Sequence, residues 1–269
     1  MATKGKVKGK MKRLVVISDM HCGHRSGLTP PAWQYKGDSG GSWDKWSDMQ
    51  TRMWDWYAAE MKELQPIDVL VVNGDAIDGK GERAGSAEHV TADRKEQADM
   101  AVECIAVAQA KHIELIYGTP YHTGKEEDWE AVVADTCKAA IHDHLFLDAN
   151  GTVFDFKHKI GSSSIPHGRA TGPLKEKLWN MMWAERGLQP KANVIIRSHV
   201  HYFVTAGDMR GQVVITPALQ SFGSKFGARQ CSGTIDVGFL VFDCLPGGVY
   251  NMSVREFDLR PLATEALRV

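Results

Sequence analysis

The sequence predicts an α/β protein. Through its first two thirds, short apolar runs alternate with longer stretches of helical spacing, and its last third turns to apolar runs separated by glycine-rich turns. In order, "RLVVIS" at 13–18 reads as a strand. Trp46, Met49, Met53, Trp54, Tyr57, Met61 and Leu64 then recur at three and four and predict a helix. "DVLVVNG" at 68–74 is a second strand, Ala98, Val102, Ile105 and Ala108 mark a second helix, and "HIELIYG" at 112–118 is a third strand. A helix is expected over Trp129 to His142, a strand at "TVFDFKH", a helix over Leu174 to Glu185 and a strand at "NVIIRSH". "QVVITPA", "GFLVFDC" and "NMSVREF" predict that β-structure closes the fold. No internal repeat is visible.

The 269 residues are 43% hydrophobic and 24% charged with a net charge of −1, which suits an ordinary globular chain and excludes a disordered one. Residues 1–12 read as a basic leader, either a solvated tail or an arm for nucleic-acid phosphates, and 13–269 as a single domain. The longest apolar runs fall far short of the roughly 20 residues of a membrane helix. Leu14 to Ile17 is also shorter than a signal-peptide core of about 7 to 15 residues, so a cytoplasmic protein without membrane contact is expected. Cys22, Cys104, Cys137, Cys231 and Cys244 are scattered without CxxC spacing, which argues for reduced thiols and against a cysteine zinc site. "GKGERAG" at 79–85 lacks the order of a phosphate-binding loop. Trp33, Tyr35 and Trp43 lie in a Pro/Gly-rich loop, as a substrate-facing lid or as anchors of that loop.

Nearly every apolar strand ends in potential metal ligands. Asp19 and His21 follow the first, Asp75 and Asp78 the second and His122 the third, while His158 and then His199 and His201 follow two later ones. Loops converge at the carboxyl edge of an α/β sheet, so these strand ends predict one polar cluster. Carboxylate and imidazole without thiolate suit Zn, Mn, Fe or Ni. Six or more ligands exceed the needs of one ion, so two divalent metal ions are expected. Such a pair, about 3.5 to 4 Å apart, activates a shared water for in-line attack on phosphorus.

Asp19-x-His21, Gly74-Asp75-x-x-Asp78, the Gly118 loop with its histidine and His199-x-His201 follow one another in an order that resembles the calcineurin-like metallophosphoesterases, over roughly residues 13 to 203. The resemblance implies a four-layer αββα sandwich, two mixed sheets flanked by helices. It implies that Asp19, His21 and His201 hold one metal, that Asp75 bridges, and that His199 with one further histidine holds the other. Asp78 would support the site. For the further histidine, His158 ends a strand, whereas His167-Gly168 reproduces the family's pair within a loop; strand-end placement favours His158.

The family usually shows Gly-Asn-His, and here "GTPYHTG" puts Thr119 at the asparagine and delays the histidine to His122, a form similar to a phage and prophage branch. His122 would then donate a proton to the leaving oxygen, or itself bind the second metal. Arg169, with Lys80, Arg83 and Arg229, would meet phosphate oxygens. The expected activity is phosphoester hydrolysis, phosphodiesters foremost. Single-stranded or duplex nucleic acid and small phosphoesters stay open as substrates, beside a catalytically weakened scaffold and a hydrolase of non-phosphorus esters.

Overall fold

The computed structural model describes residues 9–36, 44–81, 86–124, 127–221, 233–260 and 266–267. Strand β1 (Lys12–Ile17) runs parallel to β2 (Val69–Asn73), β2 to β3 (His112–Ile116) and β3 to β4 (Ala140–His142). On its other edge β1 pairs antiparallel with β10 (Gly238–Leu245), which pairs with β11 (Val249–Glu256). These six strands form one mixed sheet. A second mixed sheet has the order β5 (Leu145–Ala149), β6 (Thr152–Phe156), β7 (Val194–Arg197), β9 (Gly211–Ile215) and β8 (Val204–Asp208).

Why the strands read as unbroken apolar runs follows from the packing. Successive side chains point to opposite faces of a strand. Leu14 and Val16 of β1 enter a cluster with Phe154, Phe156, Val194, Ile196 and Val214 of the second sheet, whereas Val15 and Ile17 join the cluster beneath the helices. Both faces are buried, so no alternation with polar residues survives. The outer face of the first sheet is covered by α1 (Asp44–Glu63), α2 (Arg94–Val107) and α4 (Trp129–Thr136), which contribute Met53 and Tyr57, Met100 and Ile105, and Val133 to that cluster. A single turn, α3 (Pro120–Thr123), precedes α4. On the second sheet lies α5 (Thr171–Glu185), whose buried Asn180 bonds Asp155 of β6 and the backbone of Ala192. Helices, sheet, sheet and helix make the four layers that the resemblance implied.

Four expectations change in detail. The helix expected from Trp129 to His142 ends at Thr136; Lys138 turns the chain with φ of 54°, and Ala140–His142 becomes an edge strand beside β3. β5 and β8 were not expected: they border the second sheet and are largely half-buried or exposed, so β5 has a run of only Leu145, Phe146 and Leu147 and β8 has none. Lys12, the last residue of the expected leader, already belongs to β1, and beside it the Arg13 guanidinium pairs with Asp243 at 2.8 Å and with the Leu64 carbonyl. Trp33 packs against the first core cluster and Tyr35 bonds Gln50 and the His89 carbonyl, so both anchor their loop. Trp43, Arg83, Arg229, Cys231 and leader residues 1–8 lie outside the described residues. Among the described residues Cys22, Cys104, Cys137 and Cys244 are free thiols, and no helix is long and apolar enough to cross a membrane.

Candidate metal centre

The parallel strands β1, β2 and β3 of one sheet and β6, β7 and β9 of the other end on the same side, and a buried chain of hydroxyls and one amide ties those ends together. Ser18 after β1 bonds Thr216 after β9 at 2.7 Å, Thr216 bonds Ser198 after β7 at 2.8 Å, and Asn73 of β2 donates to Ser198 at 2.6 Å and to the Lys157 carbonyl after β6. Side chains projected one or two residues later therefore start from a rigid base.

Those side chains form two adjoining groups. Asp19, His21 and His201 bring one ligand atom each within 4.8 Å of one another, and so do Asp75, His158 and His199. A third combination joins His21, Asp78 and His122. The first two groups touch: Asp19 Oδ1 lies 3.9 Å from His158 Nε2, and Asp19 Oδ2 accepts the His199 backbone N–H at 3.2 Å. Asp19, His21, Asp75, His199 and His201 all have positive φ, between 45° and 78°. Non-glycine residues avoid that region at a cost of about 1–3 kcal/mol each, and such strain gathers where function needs it. Gly74, with φ of 85°, lies so close to the His158 ring that a Cβ there would overlap it.

The imidazoles are oriented by their Nδ1 atoms. His158 Nδ1 donates to the Asn73 carbonyl at 2.7 Å, His122 Nδ1 to the Asp78 carbonyl at 2.7 Å, and His21 Nδ1 meets Asp78 Oδ1 at 2.9 Å. Each leaves Nε2 for the interior, the arrangement that metal-binding histidines use. His89 Nε2 holds the other Asp78 oxygen at 2.7 Å.

The charges are strongly coupled. Burial opposes ionisation of Asp19, yet His201 and His158 outweigh it and lower its pKa to about 2. Burial likewise opposes ionisation of Asp75, and His158, His199 and His122 hold it well below the ordinary carboxylate range. His21 is lowered to about 4 by burial and by His122, whereas His158, despite burial, is raised to about 10 by Asp75 and Asp19. Two features show that the residues fit divalent cations. The buried Asp19 Oδ1 is ringed by imidazole nitrogens, His201 Nε2 at 3.3 Å, His158 Nε2 at 3.9 Å and His21 Nε2 at 4.0 Å, and His21 Nε2 and His201 Nε2 face each other at 3.2 Å, where at most one proton fits between them. The donor set of carboxylate oxygens and imidazole nitrogens suits borderline divalent metals.

The Gly118 loop meets this cluster through Asp75. The Thr119 N–H donates to Asp75 Oδ1 at 2.6 Å and its hydroxyl reaches the same oxygen at 3.2 Å. A Cβ on Gly118 would collide with Asp75, which is why the strand leaves on glycine. Pro120 opens α3, and that turn sets His122 Nε2 4.0 Å from Asp75 Oδ2. His167 is exposed on a 3-10 turn and belongs to none of the groups above; His158 is the histidine brought to Asp75. Arg169, on the same turn, stacks its guanidinium 4.3 Å over Tyr202, the neighbour of His201. Lys80 is exposed beyond β2, and His24 accepts from Ser26 within its own loop.

Glu130 escaped the sequence reading. Buried at the start of α4, it accepts from Ala76 N at 2.8 Å and Gly118 N at 2.6 Å, pinning the residues that follow β2 and β3. Burial first, then the Asp75 charge, raises its pKa to about 7. The only available signal was an acid interrupting the apolar face of a short helix. Glu130→Gln leaves one of the two N–H groups facing an amide NH2, so a loss of about 1–3 kcal/mol is expected in urea unfolding. A fall of roughly 10- to 100-fold in hydrolysis should accompany it, because the Asp75 loop loosens.

No family model and no curated protein matches the chain. Among solved structures, Vacuolar Protein Sorting 29 from Cryptosporidium parvum aligns over 93% of this chain and 99% of its own, with 10% identity and a TM-score of 0.48. A novel archaeal phosphodiesterase aligns over 90% and 99%, with 13% identity and a TM-score of 0.45. Wild-type Vps29 complexed with zinc, from Entamoeba histolytica, aligns over 91% and 99%, with 12% identity and a TM-score of 0.43. Likenesses at these identities and scores assign this chain no activity.

Proposed function

We propose that the chain is a metal-dependent phosphoesterase that acts on phosphodiesters at a site for two divalent cations. The observation that carries the reading is the pair of adjoining groups, Asp19 with His21 and His201 and Asp75 with His158 and His199, built on strained backbone around two buried carboxylates. When bound, the two cations supply neutralisation of phosphoryl charge and activation of a water nucleophile. Asp75 would lie between them, its orientation set by the Thr119 N–H and its neighbours by Glu130.

His122 is a proton donor in this reading. Its Nδ1 hydrogen is committed to the Asp78 carbonyl, so a proton on Nε2 is the one that it would deliver to a leaving oxygen. His122→Ala is expected to slow diesters with poor leaving groups on the order of 10²-fold or more, and activated aryl diesters much less. Equal losses on both, with one equivalent less bound metal, would instead make His122 a ligand. Arg169 would meet the phosphate beside His201.

One observation favours a second reading, a weakened relative that binds without hydrolysing. Thr119 turns its hydroxyl to Asp75 and presents no amide oxygen to a cation. Purified protein supplied with manganese and assayed on an activated diester, an activated monoester and single-stranded DNA separates the two. Turnover fastest on a diester supports hydrolysis, whereas two bound metals without turnover on any substrate supports the scaffold.

A further inference from the structure

A helix lying on a sheet normally turns a polar face to solvent. α5 does not. Pro173 and Asn180 are buried toward the second sheet, while Leu174, Leu178, Trp179, Met181, Met182 and Trp183 are between 37% and 54% exposed on the outer half of the helix. No described segment of the chain covers them. Given the size of such side chains, they leave roughly 550 Å² of largely apolar surface open, at the upper end of what a monomer tolerates.

We infer that the outer face of α5 pairs with the same face of a second copy of this chain across a twofold axis. Three features favour a second copy over an unrelated partner. The area, extended by the exposed Lys175, Glu185 and Arg186 at its ends, approaches the roughly 800 Å² that each partner gives to a standard interface. A twofold axis requires the patch to complement itself. Antiparallel helices centred at the height of Asn180 do this: Leu178 stands level with Met182 of the second copy and Trp179 level with Met181, a rigid side chain against a flexible thioether each time. The same register sets Lys175 level with Glu185 and opposes the two helix dipoles. The face lies on the outer layer of the second sheet, so pairing there leaves the metal centre at the strand ends of both copies open.

Sedimentation equilibrium of the full chain between about 1 and 100 µM tests this, a range that brackets micromolar association. A dimer is expected, and Leu178→Glu, at a half-exposed position that does not threaten folding, should weaken it at least 100-fold while far-UV circular dichroism is unchanged. Lys175→Glu should weaken it a few-fold, and adding Glu185→Lys to that variant should restore it. A monomer at 100 µM, or a dimer indifferent to Leu178→Glu, overturns the inference whether or not the chain hydrolyses diesters.

Discussion

Asp75→Asn is expected to lower diester hydrolysis on the order of 10³-fold, within the range for removal of a group that acts in the transition state. Asp75 Oδ2 lies 3.0 Å from His158 Nε2 and 3.8 Å from His199 Nδ1, and Oδ1 takes both donors of Thr119. Asparagine keeps one oxygen: an NH2 turned to the Thr119 N–H sets donor against donor, and one turned to the His158 side puts an amide nitrogen where a carboxylate oxygen would meet the cations. Rate assays, metal stoichiometry by mass spectrometry and a urea melt should be measured together. An unchanged rate on a folded variant removes Asp75 from the chemistry, and with it the arrangement proposed for the two cations.

The second large effect is on stability. Arg197→Met should destabilise the chain by about 3–5 kcal/mol, the cost of breaking a buried ion pair from one side. Arg197 is fully buried at the end of β7, with Nη1 on Asp155 Oδ1 at 2.9 Å and on the carbonyls of Asp155 and Ile196, and with Nε and Nη2 on Glu176 of α5. Methionine fills the volume but removes the guanidinium charge from the buried Asp155 carboxylate, which keeps only Asn180 and His144. For a chain of this size the melting temperature should fall by roughly 10 °C. Burial resists ionisation of Asp155, yet His144 and Arg197 prevail and lower its pKa. The stabilisation is therefore complete above the unfolded value near pH 4 and disappears as pH falls through the lower folded value. The gap between wild type and variant should narrow in acid, and a deficit under about 1 kcal/mol at pH 7 would show that β7 does not depend on this pair.

Much of the centre was legible because strand ends are legible. A doubly buried strand has to be a continuous apolar run, and where the run stops the next residues stand at the sheet edge; Asp19, Asp75, His158 and His199 were found in this way. Glu130 and the Ser18, Asn73, Ser198 and Thr216 chain were not. An acid in a short helix and hydroxyls at strand ends look like surface residues until burial forces each to find a partner.

Local pattern by itself determined the α/β class, the order of most strands and helices, and the residue types of the centre, since periodicity and turn chemistry act over a few neighbours. Tertiary structure alone decided that Ala140–His142 is an edge strand and that Glu130 turns inward to hold the residues after β2 and β3. It also decided that the outer face of α5 is apolar, which its spacing could not distinguish from a buried one. Those outcomes depend on which surfaces meet across a fold, and distance along the chain carries no record of that.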